Sequence, residues 1–582
     1  MLTAIQIGNF KAFAETQRIP IRPLTLIYGA NSSGKSSILH SLILARHAAD
    51  TGELDVHRTN LGGEAVDLGG FRQFIHRREL SHRLEWSAEL NTISLEGRLK
   101  ELLAPAKKIM VSIDIGIALD DQGRSLVGAI PEVHGYEMLS DGKSLLRMSK
   151  RRDGSLKMDR LELDNPILRE VLRAIVESST TTESLNASEY AGLKEAISGI
   201  VPDLVASVGK FLPEGLIKTD FFNPGAQLSL FPVSKGRRQE DLGAAVRFFF
   251  PRTIDELIRG ISNSVESELF RLQYLGPLRS YPPRHLAFAQ HHDQNWFAGG
   301  GYAWDVVRRN TYVRDQVNTW LGAKARLQTP YELKIRELIS DLTIEEELPT
   351  DIQKIVHDAF RDFLKSTPEG GGEGDPIGII VDEIFTDQNI DSPDTISPDI
   401  ESIVSRFVNS EELATKITQK LIQTRDEGLQ ELILVDKRSN TSVSHRDVGI
   451  GVSQVLPVLV GAYASQSQII AIEQPEIHLH PALQADLGDV FLQSALGENK
   501  NRFLIETHSE HLLLRIMRRM RETASGKLPE GCLPVRPEDV MVLFVEPDGS
   551  RSIVREMPLN ENGELIKAWP GGFFEEGLRE IF

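Results

Sequence analysis

The chain has 582 residues, 41% hydrophobic and 25% charged, the composition of a globular protein too long for one ordinary core. Its formal charge of −18 gives no global attraction for nucleic acid, and a single cysteine, Cys532, excludes an internal disulfide or a thiolate zinc site. No apolar run approaches the ~20 residues of a membrane span and MLTAIQIGNFKAF has no basic signal-like start, so a cytoplasmic protein without a membrane contact is expected.

Leu2–Ile7 alternates apolar and polar residues and predicts a strand with one buried face. Pro23–Tyr28 predicts a second strand, feeding directly into Gly29-Ala30-Asn31-Ser32-Ser33-Gly34-Lys35-Ser36, a complete G-x-x-x-x-G-K-[ST] loop. In such a loop the glycines let the backbone approach phosphates, whose charge meets successive N–H groups and a helix N-terminus. Asn31, Ser32 and Ser33 belong to that cradle, Lys35 reaches for the β- and γ-phosphates, and the Ser36 hydroxyl joins a Mg²⁺ shell. Ser37 to Ala49 reads as the following helix, with Ile38, Leu39, Leu42, Ile43 and Ala45 on its apolar side.

Leu84–Leu95, Ile109–Leu119 and Leu126–Leu139 alternate in period two and predict an antiparallel β-subdomain, completing a first part over residues 1–164. From Asn165 the spacing turns helical over Pro166–Val176, Glu183–Phe211 and Leu242–Leu272, broken by Pro202, Pro213 and Pro224. This opens a mostly helical insertion over 165–424, with flexible compositions at 367–375 and 388–399. Sustained heptads are missing, so no long coiled-coil arms are expected. Basic clusters occur at Arg72–Arg83 and Arg515–Arg521.

The third part, 425–582, begins with a hairpin, Leu429–Asp436 against Thr441–Ser444, followed by a glycine-rich stretch containing Gly449, Gly451 and Ser453. Small residues ahead of the helix Val455–Ala462 make an anion site, although a plain turn before a buried helix reads equally well. Ile469–Ile472 predicts a buried strand that Pro475 ends, which puts Glu473 at its carboxyl end, where open α/β sheets bind ligands. Arg502–Ile505 repeats the pattern and ends in Glu506-Thr507-His508-Ser509. A lone histidine is usually structural, but at a core strand end His508 can sense a γ-phosphate.

Phosphate loop, glycine-serine segment, acidic strand end and strand-end histidine, in that order, resemble the ABC-type ATPase heads of the SMC, RecF and overcoming-lysogenization-defect group. NFKAF…PLTLIYGANSSGKSS, IEQPEIHLHP and ETHSEHLLLR are similar to that group in detail. The run KAWPGGFFEE (Lys567–Glu576) is similar to the end of a bacterial subgroup with a C-terminal domain of unknown function. The resemblance implies an α/β ABC-type P-loop ATPase head with a flanking antiparallel β-subdomain and a mostly helical insertion. It implies ATP and Mg²⁺ as cofactors and a head-to-head dimer, in which the loop of one copy faces Gly449, Gly451 and Ser453 of the other. By the same resemblance Glu473 takes the Mg²⁺-coordinating position, His508 the switch-histidine position, and Gln73 a place near Mg²⁺ or the attacking water. His478-Leu479-His480-Pro481 falls where a loop crosses the dimer interface; a histidine metal site is the alternative.

Where many such ATPases carry a catalytic glutamate, this chain has Gln474, and an amide orients water but is no base at neutral pH. Either Glu476 or Glu506 substitutes, or hydrolysis is slow and the ATP-bound dimer long-lived. The expected role is a dimeric switch regulating a separately encoded effector, a nuclease or toxin, in bacterial anti-phage defence. A RecF-like DNA-binding repair ATPase and an ATP-binding scaffold without turnover are the alternatives.

Overall fold

Short apolar runs and alternating runs sort the strands of this chain into two kinds of sheet, as the computed structural model shows. Residues 1–120, 128–179, 187–217, 238–279, 295–322, 329–338, 429–443 and 450–572 are described. They fall in two compact units, one of Met1–Pro282, Gln290–Glu332 and Leu434–Phe582, the other of Pro283–Ala289 and Leu333–Ile433.

The strands are β1 (Leu2–Gly8), β2 (Gln17–Pro20), β3 (Leu24–Gly29), β4 (Leu84–Asn91), β5 (Lys108–Gly116), β6 (Glu132–Ser140), β7 (Lys143–Lys150), β8 (Leu156–Leu161) and β9 (Val205–Val208). They continue with β10 (Pro213–Leu216), β11 (Leu272–Leu275), β12 (Tyr331–Leu338), β13 (Leu429–Asp436), β14 (Thr441–Val443), β15 (Ile469–Glu473), β16 (Arg502–Glu506), β17 (Val540–Asp548) and β18 (Arg551–Glu556).

Alternating strands, buried on one face, form a nine-stranded antiparallel sheet in the order β10-β9-β8-β7-β6-β5-β4-β1-β2. The β-subdomain expected from the alternation is this sheet. Apolar runs buried on both faces form the second sheet, in the order β11-β15-β16-β3-β17-β18, parallel throughout except for the β17–β18 edge. Every residue of β3, β15 and β16 is buried. The helix Lys35–Thr51 follows β3 and buries Ile38, Leu39, Leu42, Ile43 and Ala45 in the core.

Three expectations change. Glu183–Phe211 is not helical throughout: the helix Ala187–Ile200 gives way to β9, and β10 follows, both joined to the nine-stranded sheet. The described residues from 165 to 279 therefore do not open a separate insertion but belong to the same unit as the phosphate loop. The reason is that Val205–Val208 pairs with β8 through Lys157 and Leu156, a long-range ladder that local periodicity does not reveal. The helix expected at Val455 starts at Ile450 and runs to Ala464, so Gly451 and Ser453 are helical. The expected hairpin is present, with Leu434 opposite Val443. In the second unit, described over 333–338 and 429–433, Arg336 pairs with Glu431. The segments 367–375 and 388–399, Gly449 and the whole FFEE run lie outside the described residues.

Candidate functional site

The phosphate loop leaves β3 at Gly29 (φ 148°) and enters its helix at Gly34 (φ 95°), both in conformations that side chains resist. A Cβ on Gly29 would collide with the Val545 carbonyl oxygen on β17 and stand 2.8 Å from Ser33 Oγ. Asn31 and Ser32 are exposed at the crest of the loop, while Ser33 and Ser37 are buried. Ser33 Oγ has no hydrogen-bond partner, and the Ser37 N–H donates to the Gly34 carbonyl at 3.1 Å.

Lys35 is buried, and its Nζ donates to the carbonyls of Ala30 (2.9 Å) and Gly29 (3.2 Å) while standing 3.8 Å from Glu506. Burial lowers its pKa, opposed by Glu506 and Glu473. Ser36 Oγ donates to Glu506 Oε2 at 2.7 Å. Glu506 is pushed up to about 7, first by burial and then by Glu473, against its bond from Ser36 and the charge of Lys35.

Glu473 ends the neighbouring strand and is buried, accepting from the Tyr274 hydroxyl at 2.9 Å. His40 Nε2 stands 3.4 Å from the same oxygen, and Lys11 Nζ lies 2.6 Å from His40 Nδ1. His40 follows Ser36 by one helical turn, so both face the strand ends. Burial lowers Lys11 to about 8, opposed by Glu473 and Asp67. Tyr274 is held far above its ordinary value by burial and by Glu473.

Gln474 is half-buried at φ 46°, and its N–H donates to the Glu506 carbonyl at 2.7 Å. Arg279 Nη2 donates to the Glu473 carbonyl at 2.9 Å, and Gln454 embraces the Arg279 backbone, accepting from its N–H (3.3 Å) and donating to its carbonyl (3.0 Å). Burial pulls Arg279 down to about 10, against Glu476. Glu476 accepts from Thr507 Oγ1 at 2.8 Å and from the His508 N–H at 2.6 Å. Its oxygens thus fix the turn that carries His508. The His508 ring is half-buried with Nε2 unpaired, and burial lowers its pKa.

The structure thus assembles Lys35, Ser36, Glu473, Gln474, Glu476 and His508 at the carboxyl ends of β3, β15 and β16. Gly451 and Ser453 lie on a different helix, which packs on the helices Gly301–Arg309, Thr311–Gly322 and Pro481–Leu496. A Cβ on Gly451 would come 3.0 Å from the His478 carbonyl, so this helix start abuts the loop after Glu473. Gln73 is exposed and, with Lys11 and Asp67, lines an open cavity; its side chain bonds nothing among the described residues. His480 caps the helix Pro481–Leu496, its Nδ1 accepting from the Ala482 N–H at 3.3 Å. Among the described residues no group of three His, Cys, Asp or Glu side chains could hold a metal ion. The histidine-pair metal site therefore has no support, and the oxygens of Ser36, Glu473 and Glu506 form a set that suits Mg²⁺ only together with phosphate oxygens.

Sequence reasoning missed Lys11, His40, Tyr274, Arg279 and Gln454. Only His40 carried a usable signal, its spacing from Ser36; the others come from segments that only the tertiary fold brings in. Three basic groups of the helix Glu510–Ala524 are engaged within the chain, Arg515 with Asp486 and Asp489, Arg518 with Glu522, Arg519 with Asp489 and Glu522, while Arg521 is exposed. No helix among the described residues is long and apolar enough to cross a membrane.

Residues 341–513 match the family model described as an AAA ATPase domain, and residues 535–582 match a model described as a protein of unknown function (DUF3696). No curated protein matches significantly. Among solved structures, an SMC head bound to the C-winged helix domain of ScpA is 9% identical, with a TM-score of 0.32 over 96% of this chain and 98% of that one. An SMC head with an extended coiled coil, bound to the C-terminal domain of ScpA and derived from Pyrococcus furiosus, is 9% identical, with a TM-score of 0.31 over 100% and 98%. The SMC head domain from Thermotoga maritima is 8% identical, with a TM-score of 0.29 over 96% and 99%. Scores this low carry no argument. The chain is similar to AAA ATPase domains over 341–513, the stretch that contains the strand ends of Glu473 and Glu506.

Proposed function

We propose that this chain binds ATP with Mg²⁺ at the ends of β3, β15 and β16 and hydrolyses it slowly. The observation that carries this reading is the convergence of Lys35 and Ser36 with Glu473, Glu506 and the unpaired His508 ring. The loop amides and Lys35 hold the phosphates, and Ser36 and Glu473 take the Mg²⁺ side. Held there by Ser36 and Glu473, Mg²⁺ would neutralise phosphate charge. Gln474 orients water without taking its proton, and Glu476 is engaged with Thr507 and His508, so neither supplies a free carboxylate base.

The same reading makes the chain a dimeric switch, with Gly451 and Ser453 of one copy meeting the nucleotide of the other. The abutment of Gly451 on the His478 carbonyl supports it, since the start of that helix and the loop after Glu473 would shift together. Regulation of a separately encoded nuclease or toxin in anti-phage defence rests on the resemblance of the sequence motifs and of the C-terminal run. The internal pairing of Arg515, Arg518 and Arg519 reduces the free charge there, with Arg521 left exposed, and so weakens a DNA-binding reading.

Calorimetry with ATP and Mg²⁺ should give saturable binding that Lys35→Ala abolishes, and sedimentation should show ATP-dependent dimers. Equal heats for both proteins would end the proposal. Co-purification with the products of neighbouring genes tests the effector.

A further inference from the structure

Tyr274 serves two places at once. Its hydroxyl donates to Glu473 at 2.9 Å, while its ring forms part of the wall of a separate cavity of about 250 Å³. That cavity also reaches the far end of the phosphate-loop helix at Arg46 and is bordered by Leu272, Gln273, Phe297 and Tyr302. With a rise of about 1.5 Å per residue, Arg46 lies roughly 15 Å along the helix from Ser36, so this space is not the nucleotide site.

The lining has a definite chemistry. Tyr274, Phe297 and Tyr302 give it aromatic walls, and the Phe297 and Tyr302 rings lie 6.3 Å apart, tilted by 34°. Phe297 is 49% exposed, a large apolar ring left uncovered at the cavity. Arg46 supplies the charge. Its guanidinium rests 3.8 Å from the centre of the Phe270 ring and keeps Nη1 buried without a hydrogen-bond partner, while Asp50, four residues on and in the same lining, is the carboxylate whose charge acts on it. With no carboxylate within ion-pair distance among the described residues, the buried Nη1 donor was taken from water without replacement and keeps its capacity for an acceptor. Gln273 commits its amide oxygen to Ser465 at 3.0 Å and leaves its amide nitrogen uncommitted.

We propose that this cavity binds a small planar aromatic anion, its ring among Tyr274, Phe297 and Tyr302 and its charge on Arg46, and that occupancy is felt at Glu473 through Tyr274. A two-ring heterocycle or naphthalene bearing one carboxylate or sulfonate has the right size. Occupancy would restrain the Tyr274 ring, and with it the hydrogen bond that sets the Glu473 carboxylate. The binding half stands on the cavity alone; the coupling half rests on the reading of Glu473 as the Mg²⁺-side carboxylate.

The test titrates 1-naphthalenesulfonate into the full chain by calorimetry, with and without saturating Mg²⁺ and ATP. One saturable site per chain is expected, persisting with ATP present and weakened about tenfold or more by Arg46→Met. Phe297→Ala, at a half-exposed position that spares the fold, should weaken it as well. Bound probe should change the affinity for Mg²⁺ with ATP by about threefold or more in the parent chain and leave Tyr274→Phe unaffected. Absent saturation, or equal affinity in the parent chain and both cavity variants, overturns the site. Stoichiometric displacement by ATP also overturns it, because the probe then sits with the phosphates. Probe binding with no change in nucleotide affinity overturns the coupling. A chain that binds the probe but no ATP refutes the nucleotide reading and leaves the cavity standing.

Discussion

Glu473 and Glu506 are direct register partners on the adjacent parallel strands β15 and β16, so their side chains leave the sheet on the same face. Strands so paired are about 4.8 Å apart, and two buried carboxylates at that separation repel unless a cation or a proton intervenes. Glu506 carries the consequence, its pKa raised to about 7. A group whose folded pKa lies above its unfolded value of 4.5 stabilises the fold fully at lower pH and loses that contribution as pH rises toward about 7. At neutral pH and above the charged form costs on the order of 3 kcal/mol. Glu506→Gln in the nucleotide-free protein should therefore raise the thermal midpoint at about pH 8 and flatten the loss of stability between about pH 5 and 7. Thermal unfolding across that range checks it; a variant less stable than the parent at pH 8 contradicts the account.

Gln474 sits at the end of β15 with its backbone pinned to the Glu506 carbonyl. Supplying a carboxylate there without moving the backbone should restore a general base. Gln474→Glu is expected to raise the rate of phosphate release by about a hundredfold, within the range such bases contribute, with ATP affinity little changed. An unaltered rate with intact ATP binding would show that the base lies elsewhere or that another step limits turnover.

Lys11 reaches Glu473 through His40, and burial has lowered it to about 8. In the free protein it loses its charge as pH rises through that value, while a bound polyphosphate favours the charged form. ATP affinity should accordingly weaken as pH climbs from about 7 to about 9. Lys11→Met should bind ATP more weakly at pH 7 and lose that part of the pH dependence. Isothermal titrations at three pH values decide it, and parallel pH profiles for the two proteins would remove Lys11 from the site.

Arg279 is fully buried, with Nε and Nη1 unpaired, and still holds the Glu473 carbonyl while Gln454 grips its backbone. Truncating it leaves Glu476 and Glu473 without their nearby buried cation, so Arg279→Met should cost about 3 kcal/mol of stability. Gln454→Met removes the amide embrace but leaves the charge, for a cost of about 1 to 2 kcal/mol. Denaturant titration separates the two, and the opposite order would mean that the guanidinium is not what holds the strand end.

The strands β3, β15 and β16 were readable because they are short and apolar, with Gly or Pro closing them as at Tyr28-Gly29 and Glu473-Gln474-Pro475, whereas β17 and β18 of the same sheet were not foreseen. The phosphate loop was readable for the same reason, since one continuous octapeptide supplies the whole cradle. Strands β9 and β10 were not, because four-residue segments after a helix carry no period of their own and exist through pairing with β8. Tyr274 and Arg279 were hidden in another way. Their spacing on β11 and beyond looks like an ordinary strand and turn, and only the parallel register of Tyr274 with Ala471 brings them to Glu473. Gln73 is exposed beside Lys11, and its assignment rests on the resemblance alone.

β3 lies between β16 and β17, so the strand that delivers the phosphate loop is flanked on both sides by segments near the other end of the chain. At about 5 to 20 residues per second, a ribosome finishes the loop's own sequence within seconds but needs about half a minute or more to supply those neighbours. Until then the loop has no sheet to project from, and Gly29 has no Val545 to pack against. The loop is thus framed late, and a chain released early from the ribosome carries the complete octapeptide without the sheet that presents it.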